Sequence, residues 1–366
     1  MSVFRPALDG LVPYAPGKPE EEVQRELGLE RVVKLASNEG PWGPFPAALD
    51  AMERSARSLN RYPDGGAFHL ANALAERHGV TPAHVITGAG ADAIIGHLSV
   101  ATLDPGDEIV TGWPSFISFV LDALKLGATA KRVPLRDDHL DLDAMLDAIG
   151  PRTKLVYIAT PNNPTGTMTG RAELDSYFER VPAHVLTIVD QAYFEYIDEP
   201  DYPDAIEEYL KRGRNVLVLR TFSKIYGLAG LRIGYGVGSP ETIRGIAKIR
   251  RAFDVNTQAQ VAALASLDDE GELGRRRRLT ADGRDFLVRT LGEHGLEPAG
   301  PAVANFLFVE VGNDAVPLFE ALLRQGAIVR PLAAFGAPGA LRITVGTPEE
   351  NSFFADALAA LSAATT

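Results

Sequence analysis

The sequence contains no cysteine, and this absence narrows the chemistry that the protein can perform. Without thiols the chain can form no disulfide, use no cysteine nucleophile and bind no metal through thiolates. The seven histidines are scattered along the chain, and none belongs to an HExxH-type pair. We therefore expect no metal site.

A surplus of basic residues and long apolar runs are also missing. The formal net charge is −12, which argues against nucleic acid or an anionic membrane surface as a partner. The single basic cluster, Arg275–Arg278, falls in a stretch with the pattern of a long helix, so we expect a solvated helix face. No run of 18 apolar residues occurs, and residues 1–6 lack the apolar segment of a signal peptide. These features predict a cytoplasmic protein.

The 366 residues are enough for one large α/β domain and a smaller one. Residues 1–37 are rich in proline and charge, and we interpret them as an irregular N-terminal arm. Over 38–250 strands and helices alternate, which predicts a large domain with a mainly parallel sheet covered on both faces. Residues 251–366 have the pattern of a smaller α+β domain. We predict strands of the large sheet near 84–87, 107–111, 129–133, 154–159, 185–189, 215–220 and 232–237.

The segment around Lys224 is the first candidate for chemistry. It follows the apolar run 215–219, which reads as a buried strand, and α/β folds place their sites at such strand ends. A lysine can form a Schiff base with a carbonyl, while Thr221, Ser223 and Arg232 could bind a phosphate. A carbonyl and a phosphate on one ligand suggest pyridoxal phosphate (PLP). A surface lysine in a glycine-rich loop is the alternative that this segment leaves open.

Further candidates follow other predicted strands. The turn from Gly88 to Asp92 opens a helix, whose N-terminal N–H groups could bind phosphate. Phe116 could stack on a flat ring, and Asn163 lies in a rigid turn between two prolines. Taken singly, each of these features is equally consistent with a plain turn or a core aromatic residue.

Two charged residues lie in or next to apolar strands. Asp190 ends the apolar run 185–189, where a carboxylate is costly to bury unless it meets a cation such as a protonated pyridine nitrogen. Tyr193 could then donate to the phenolic oxygen of the same ring. Arg342 could bind a carboxylate or phosphate, with Arg330 beside it. A capping aspartate and a structural ion pair remain the alternatives, but parallel strand ends converge on one edge of a sheet, which favours a common site.

Together these residues resemble the fold-type I PLP-dependent aminotransferases, and more narrowly the histidinol-phosphate aminotransferase family. The matching motifs run from Tyr14-x-Pro-Gly-Lys-Pro to Leu341-Arg-Ile-Thr-Val-Gly, nearly the whole chain. They include Asn163-Pro-Thr-Gly, Asp190 with Tyr193, and Ser223-Lys224 with Arg232. The resemblance implies a large domain with a mainly parallel central sheet, a smaller α+β C-terminal domain, PLP as cofactor and a homodimer.

The resemblance also implies a role for each candidate residue. Lys224 would form the Schiff base with PLP, and Asp190 would pair with its pyridinium nitrogen. Asn163 and Tyr193 would bind the phenolic oxygen, with Phe116 stacked on the ring. The ligands of the cofactor phosphate would be Gly90, Ala91, Asp92, Thr221, Ser223 and Arg232, with Tyr62 reaching it from the neighbouring subunit.

For the substrate, the resemblance implies that Arg342 binds the acidic group with help from Arg330. Tyr14 would line the side-chain pocket, with Asn38 and Asn163 as further substrate contacts. The chain departs from the family pattern where relatives have asparagine at Gly40 and glutamate at Ala93. Neither change removes a group that the chemistry requires.

The implied reaction converts histidinol phosphate and 2-oxoglutarate to imidazole acetol phosphate and glutamate. An aromatic amino-acid aminotransferase would use the same core residues, and a PLP-dependent decarboxylase of amino-acid phosphates is a further alternative. A PLP-sensing regulator would carry a DNA-binding unit, for which the short arm and the net charge are unsuited.

Overall fold

The computed structural model describes residues 3–11 and 19–363 of the chain. Its strands are β1 (Val33–Lys34), β2 (Val85–Gly88), β3 (Glu108–Trp113), β4 (Thr129–Pro134), β5 (Thr153–Ala159), β6 (Leu186–Asp190), β7 (Val216–Thr221), β8 (Gly234–Val237), β9 (Phe306–Glu310), β10 (Ala327–Ile328), β11 (Arg330–Leu332) and β12 (Ala337–Thr344).

The α-helices are α1 (Glu20–Leu27), α2 (Pro46–Ser55), α3 (Phe68–Arg77), α4 (Ala91–Thr102), α5 (Ile117–Lys125), α6 (Leu142–Asp147), α7 (Arg171–Arg180), α8 (Pro240–Ala247), α9 (Thr257–Ser266), α10 (Glu270–Glu293), α11 (Val316–Arg324) and α12 (Pro348–Ala363). Short 3₁₀ turns lie at Pro6–Leu8, Ala56–Ser58, Pro82–His84, Phe194–Tyr196, Ala229–Leu231 and Ala333–Phe335. A π-helical turn lies at Ile206–Leu210.

A seven-stranded sheet in the order β2-β8-β7-β6-β5-β3-β4 forms the centre of the larger part of the molecule. The neighbouring strands from β7 to β4 pair in parallel, and only β8 runs antiparallel to its neighbours β7 and β2. Side chains on the two faces of β5 belong to two different apolar clusters, so both faces of the sheet are covered. The predicted mainly parallel α/β fold is thus confirmed, with strand ends within two residues of those predicted.

A second, antiparallel sheet in the order β11-β12-β9 lies in the C-terminal part. Its apolar face packs with α10, α11 and α12 around a separate cluster that includes Leu307 and Phe354. The short strand β1 pairs in parallel with β10, so residues near the start of the chain join the C-terminal part. The confirmed smaller α+β unit therefore includes a segment of the predicted arm.

The prediction of an irregular arm is wrong at α1. Three glutamates occupy the first turn of this helix, where negative charge interacts favourably with the helix dipole. Val23 is buried, and Gly28 ends the helix with a φ of +68°. The prolines and charges of the segment therefore mark a helix start.

The prediction of a solvated face for Arg275–Arg278 is wrong at Arg276, whose side chain is 3% exposed. Its guanidinium donates to the Glu272 carboxylate at 2.7 Å, the Ile225 carbonyl at 3.0 Å and the Gly43 carbonyl at 2.7 Å. A helix turns through about 100° per residue, so four consecutive arginines cannot all face solvent on a helix packed against the body. Within the two described ranges, no helix combines the length and the apolar character needed to cross a membrane.

Candidate active site

A cavity of about 220 Å³ lies at the carboxyl ends of β5, β6 and β7, beside the antiparallel sheet. This is the edge of a parallel sheet where ligands bind in open α/β folds. The residues predicted from the sequence that line it are Asn38, Gly90, Ala91, Asp92, Phe116, Asn163, Asp190, Tyr193, Thr221, Ser223, Lys224, Arg232, Arg330 and Arg342. Residues as far apart in the chain as Asn38 and Arg342 are thereby brought to one cavity.

Lys224 lies in the loop that leaves the fully buried strand β7. Its Nζ is 5.3 Å from the centre of the Tyr193 ring. The backbone of the loop is held closely, because a Cβ on Gly40 would lie 2.8 Å from the Lys224 carbonyl oxygen. Among the described residues that line the cavity, Lys224 is the sole lysine. An amine is thus presented to the cavity, where it could react with the carbonyl of a ligand.

Asp190 ends strand β6 and is buried. Its Oδ1 accepts the Ala192 N–H at 2.9 Å, and its Oδ2 accepts the Tyr157 hydroxyl at 2.5 Å. Burial raises the pKa of Asp190, while both hydrogen bonds and the charge of Lys224 act in the opposite direction. A carboxylate held in this way can bind a cationic nitrogen.

The sequence reasoning missed Tyr157, which also lines the cavity. The sequence does contain a signal for this residue, because a tyrosine inside an otherwise apolar buried strand needs a hydrogen-bond partner for its hydroxyl. Identifying that partner requires the register of β5 against β6, which cannot be read from the sequence.

The other end of the cavity is suited to an anion. Arg232 adopts a φ of +58°, and its guanidinium lies where a Cβ on Gly90 would meet Nη2 at 2.7 Å. Helix α4 begins at Ala91, with Gly90 as its N-cap, so its first N–H groups are directed toward this end. A side chain on Gly234 would overlap the backbone of Ala91, so only glycine lets β8 approach this turn. The Thr221 hydroxyl, which accepts the Ser223 N–H at 3.1 Å, completes the polar wall.

Two arginines line the side of the cavity formed by the antiparallel sheet. Arg330 and Arg342 are paired across β11 and β12. Arg342 donates to the Asn163 side-chain oxygen at 2.5 Å and to the Ala36 carbonyl at 2.8 Å, and it is 4% exposed. The Phe335 ring lies under both guanidinium groups, at 5.7 and 5.8 Å. This pair gives the cavity a cationic wall.

Asn38 and Tyr193 link the antiparallel sheet to the loop that follows β6. The Asn38 amide donates to the Tyr193 hydroxyl at 3.0 Å, and the Asn38 side-chain oxygen accepts the Thr344 hydroxyl at 3.0 Å. Tyr193 also packs edge-on against Phe306 with ring centres 5.1 Å apart. The Tyr193 hydroxyl is consequently fixed in the cavity.

The structure places one of the remaining predicted residues away from the cavity. Tyr62 is 82% exposed, stacks on Phe253 at 4.6 Å and does not line the cavity. Tyr14 falls outside the described residues. The described ranges contain no group of three acidic or histidine side chains that could hold a metal ion.

The arrangement suits a ligand with three features. One is an anionic group to meet Arg232 and the N-terminus of α4, and another is a cationic nitrogen to meet Asp190. The third is a carbonyl between them, within reach of the Lys224 amine. The half-buried Phe116 ring could cover a flat ring placed there.

Comparisons with known proteins find similarity to aminotransferases. Residues 30–358 match the family model described as aminotransferase class I and II. A histidinol-phosphate aminotransferase from Moorella thermoacetica is 46% identical over 355 residues, covering 97% of this chain and 92% of the relative. The crystal structure of a histidinol-phosphate aminotransferase from Sinorhizobium meliloti in complex with pyridoxal-5'-phosphate superposes with a TM-score of 0.91 at 29% identity, covering 100% and 99% of the two chains. A Thermus thermophilus aspartate aminotransferase double mutant superposes with a TM-score of 0.85 at 25% identity, covering 99% and 100%.

Proposed function

This chain belongs to the aminotransferase class I and II family, and we propose that it transfers the amino group of histidinol phosphate to 2-oxoglutarate with PLP as cofactor. The products are imidazole acetol phosphate and glutamate. The observation that carries this choice of substrate is the similarity to histidinol-phosphate aminotransferases over almost the entire chain. An aspartate aminotransferase shares the fold, so the fold alone does not select the donor.

The cavity offers partners for each part of PLP. Arg232, Thr221 and the turn before α4 would hold the phosphate, and Asp190 would hold the ring nitrogen. Asn163 and Tyr193 would bind the phenolic oxygen, and Phe116 would cover the ring. Asp92, at the start of α4, and Ser223 would complete the phosphate site. When bound, PLP supplies an electron sink that stabilises the carbanion formed as the substrate Cα–H bond breaks.

Lys224 is the residue that we assign to the covalent link and to proton transfer. Its Nζ would accept the proton of the substrate Cα and later return it. Among the described residues that line the cavity, the other basic side chains are arginines, which stay protonated and cannot accept this proton.

Arg342 and Arg330 would bind the acidic group of either substrate. A guanidinium presents paired N–H groups that can meet a phosphate in one half-reaction and a carboxylate in the other. Asn38, which is bonded to Tyr193, would line the same substrate side, and Tyr14 would add an aromatic wall. The aromatic lining would also accept the ring of an aromatic amino acid, which makes that aminotransferase the alternative tested below.

We further propose a cytoplasmic homodimer. Tyr62 is highly exposed and rests on Phe253, which is itself 45% exposed. In a dimer these rings would be covered, and Tyr62 would reach the cofactor phosphate of the neighbouring subunit. The large domain would span 38–250 and the small domain 251–366, and the N-terminal arm 1–37 would join the small domain through the pairing of β1 with β10.

A single-turnover titration tests the proposal. The PLP-loaded protein is mixed with histidinol phosphate or with phenylalanine, and loss of the absorbance of lysine-bound PLP is followed. We expect conversion by histidinol phosphate at far lower concentration, and no conversion in Lys224→Ala. Preference for phenylalanine would replace the substrate, release of CO₂ would indicate a decarboxylase, and full activity of Lys224→Ala would refute the site.

A further inference from the structure

We propose that Tyr157 is a positioning residue whose hydroxyl keeps Asp190 ionised and so extends cofactor binding to lower pH. This inference rests on the proposed function, because it assigns to Asp190 the task of holding a protonated ring nitrogen. It adds a residue that the sequence motifs around Lys224 do not include.

The sheet register places Tyr157 beside Asp190. Tyr157 is aligned with Ile188 in the parallel pair of β5 and β6, and Asp190 lies two residues further along. Residues two apart in a strand share one face of the sheet, so the tyrosine points to the same side as the carboxylate. The hydroxyl donates to Asp190 Oδ2 at 2.5 Å.

The Tyr157 ring has little freedom to move. It is fully buried and stacks on Phe119, with ring centres 4.7 Å apart and an angle of 21° between the planes. Burial and this stacking therefore direct the hydroxyl at Asp190. The other carboxylate oxygen accepts the Ala192 N–H, so the protein itself supplies one donor to each oxygen and leaves the remaining lone pairs for a ligand.

Five ionisable groups besides Asp190 belong to this surrounding. They are Tyr157 on β5, Lys224 after β7, Asp92 at the start of α4, Tyr193 in the loop after β6 and Tyr202 further along the chain. Burial raises the pKa of Asp190 and Asp92 adds to this, whereas Tyr157, Ala192 and Lys224 lower it.

Burial and the nearby Asp190 charge raise the pKa of Tyr157 well above its usual value. Tyr157 is consequently a hydroxyl, and a donor, throughout the neutral pH range. A donor that does not ionise is suited to stabilising a neighbouring carboxylate.

The consequence concerns the lower pH limit of cofactor binding. Once Asp190 is protonated it no longer attracts a cationic nitrogen, so PLP affinity falls as the pH drops through the pKa of this carboxyl. Loss of the Tyr157 hydroxyl raises that pKa and moves the fall to higher pH. A hydrogen bond to a charged group corresponds to a displacement of about one to two pH units.

The test compares Tyr157→Phe with Tyr177→Phe. Tyr177 is equally buried, and its hydroxyl is hydrogen-bonded to Thr187 Oγ1 at 3.0 Å, but it does not line the cavity. Both variants therefore lose a buried, bonded hydroxyl. The dissociation constant of PLP is measured by equilibrium dialysis between pH 4.5 and 8, and the rise in melting temperature caused by PLP is measured in parallel at each pH.

We expect the acid limb of PLP binding to move up by about one to two pH units in Tyr157→Phe and to stay in place in Tyr177→Phe. In turnover assays of Tyr157→Phe we expect kcat to fall, and its fold-change to exceed that of KM. An unmoved limb in Tyr157→Phe, or the same movement in both variants, would overturn the inference while leaving the proposed function intact. An unaltered protein that binds no PLP at any pH would overturn both.

Discussion

Replacing Arg276 by methionine is expected to loosen the loop that carries Lys224. Arg276 lies on α10, and its guanidinium connects two loops by bonding the Ile225 and Gly43 carbonyls. Ile225 directly follows Lys224. Methionine keeps an apolar stem but removes every donor, together with the guanidinium whose Cζ lies 4.5 Å from the centre of the Phe45 ring.

The expected loss of stability depends on whether the groups that accept hydrogen bonds from Arg276 can find other donors. The Ile225 carbonyl is buried, and an unsatisfied buried acceptor costs about 1–3 kcal/mol. Gly43 is exposed, so water can replace its lost donor. The Glu272 carboxylate retains Arg275, which donates to it at 2.7 and 2.8 Å. We therefore expect a loss of about 2–3 kcal/mol in the free energy of unfolding.

Arg275→Met is the matched control. The two arginines are neighbours and both bind Glu272, but the Arg275 side chain is 45% exposed against 3% for Arg276. An exposed ion pair contributes about 0–1 kcal/mol. Urea unfolding of the PLP-free protein, followed by tryptophan fluorescence, measures both values. Equal losses in the two variants would show that the buried hydrogen bonds of Arg276 contribute no more to stability than the exposed ion pair of Arg275.

The large sheet could be predicted from the sequence because its strands are buried on both faces. Runs such as 216–219 are continuously apolar, and polar residues and glycine follow in the next loop. Parallel strand ends meet at one edge, so Asp190, Asn163 and Lys224 could be grouped before any coordinates were known. The structure does bring these three residues to one cavity.

The contacts behind these residues could not be predicted, because they depend on register and on packing between distant segments. The Tyr157 hydroxyl finds Asp190 only through the alignment of β5 with β6. Arg276 looks like any surface arginine in the sequence, and its burial depends on two loops that lie 51 and 233 positions away. Helix α1 was missed because prolines and charge predict irregular structure locally, whereas burial of Val23 stabilises a helix there.

Two further changes test the packing around the site and the buried core. Gly227 has a φ of +70°, and a Cβ there would overlap the Gly43 carbonyl, so Gly227→Ala should destabilise the protein by about 2 kcal/mol or more. Gly230→Ala in the same loop has open space around the new methyl group and should lower stability by less than about 1 kcal/mol; equal melting temperatures of the two variants would contradict this. Burial lowers the pKa of His78 from 6.5 to about 4, so between these values the unfolded chain binds a proton that the folded protein does not. Stability should therefore fall by about 3 kcal/mol as the pH drops through that window. His78→Gln should flatten the slope of unfolding free energy against pH by one proton; an unaltered slope in His78→Gln would show that His78 is protonated in the folded protein.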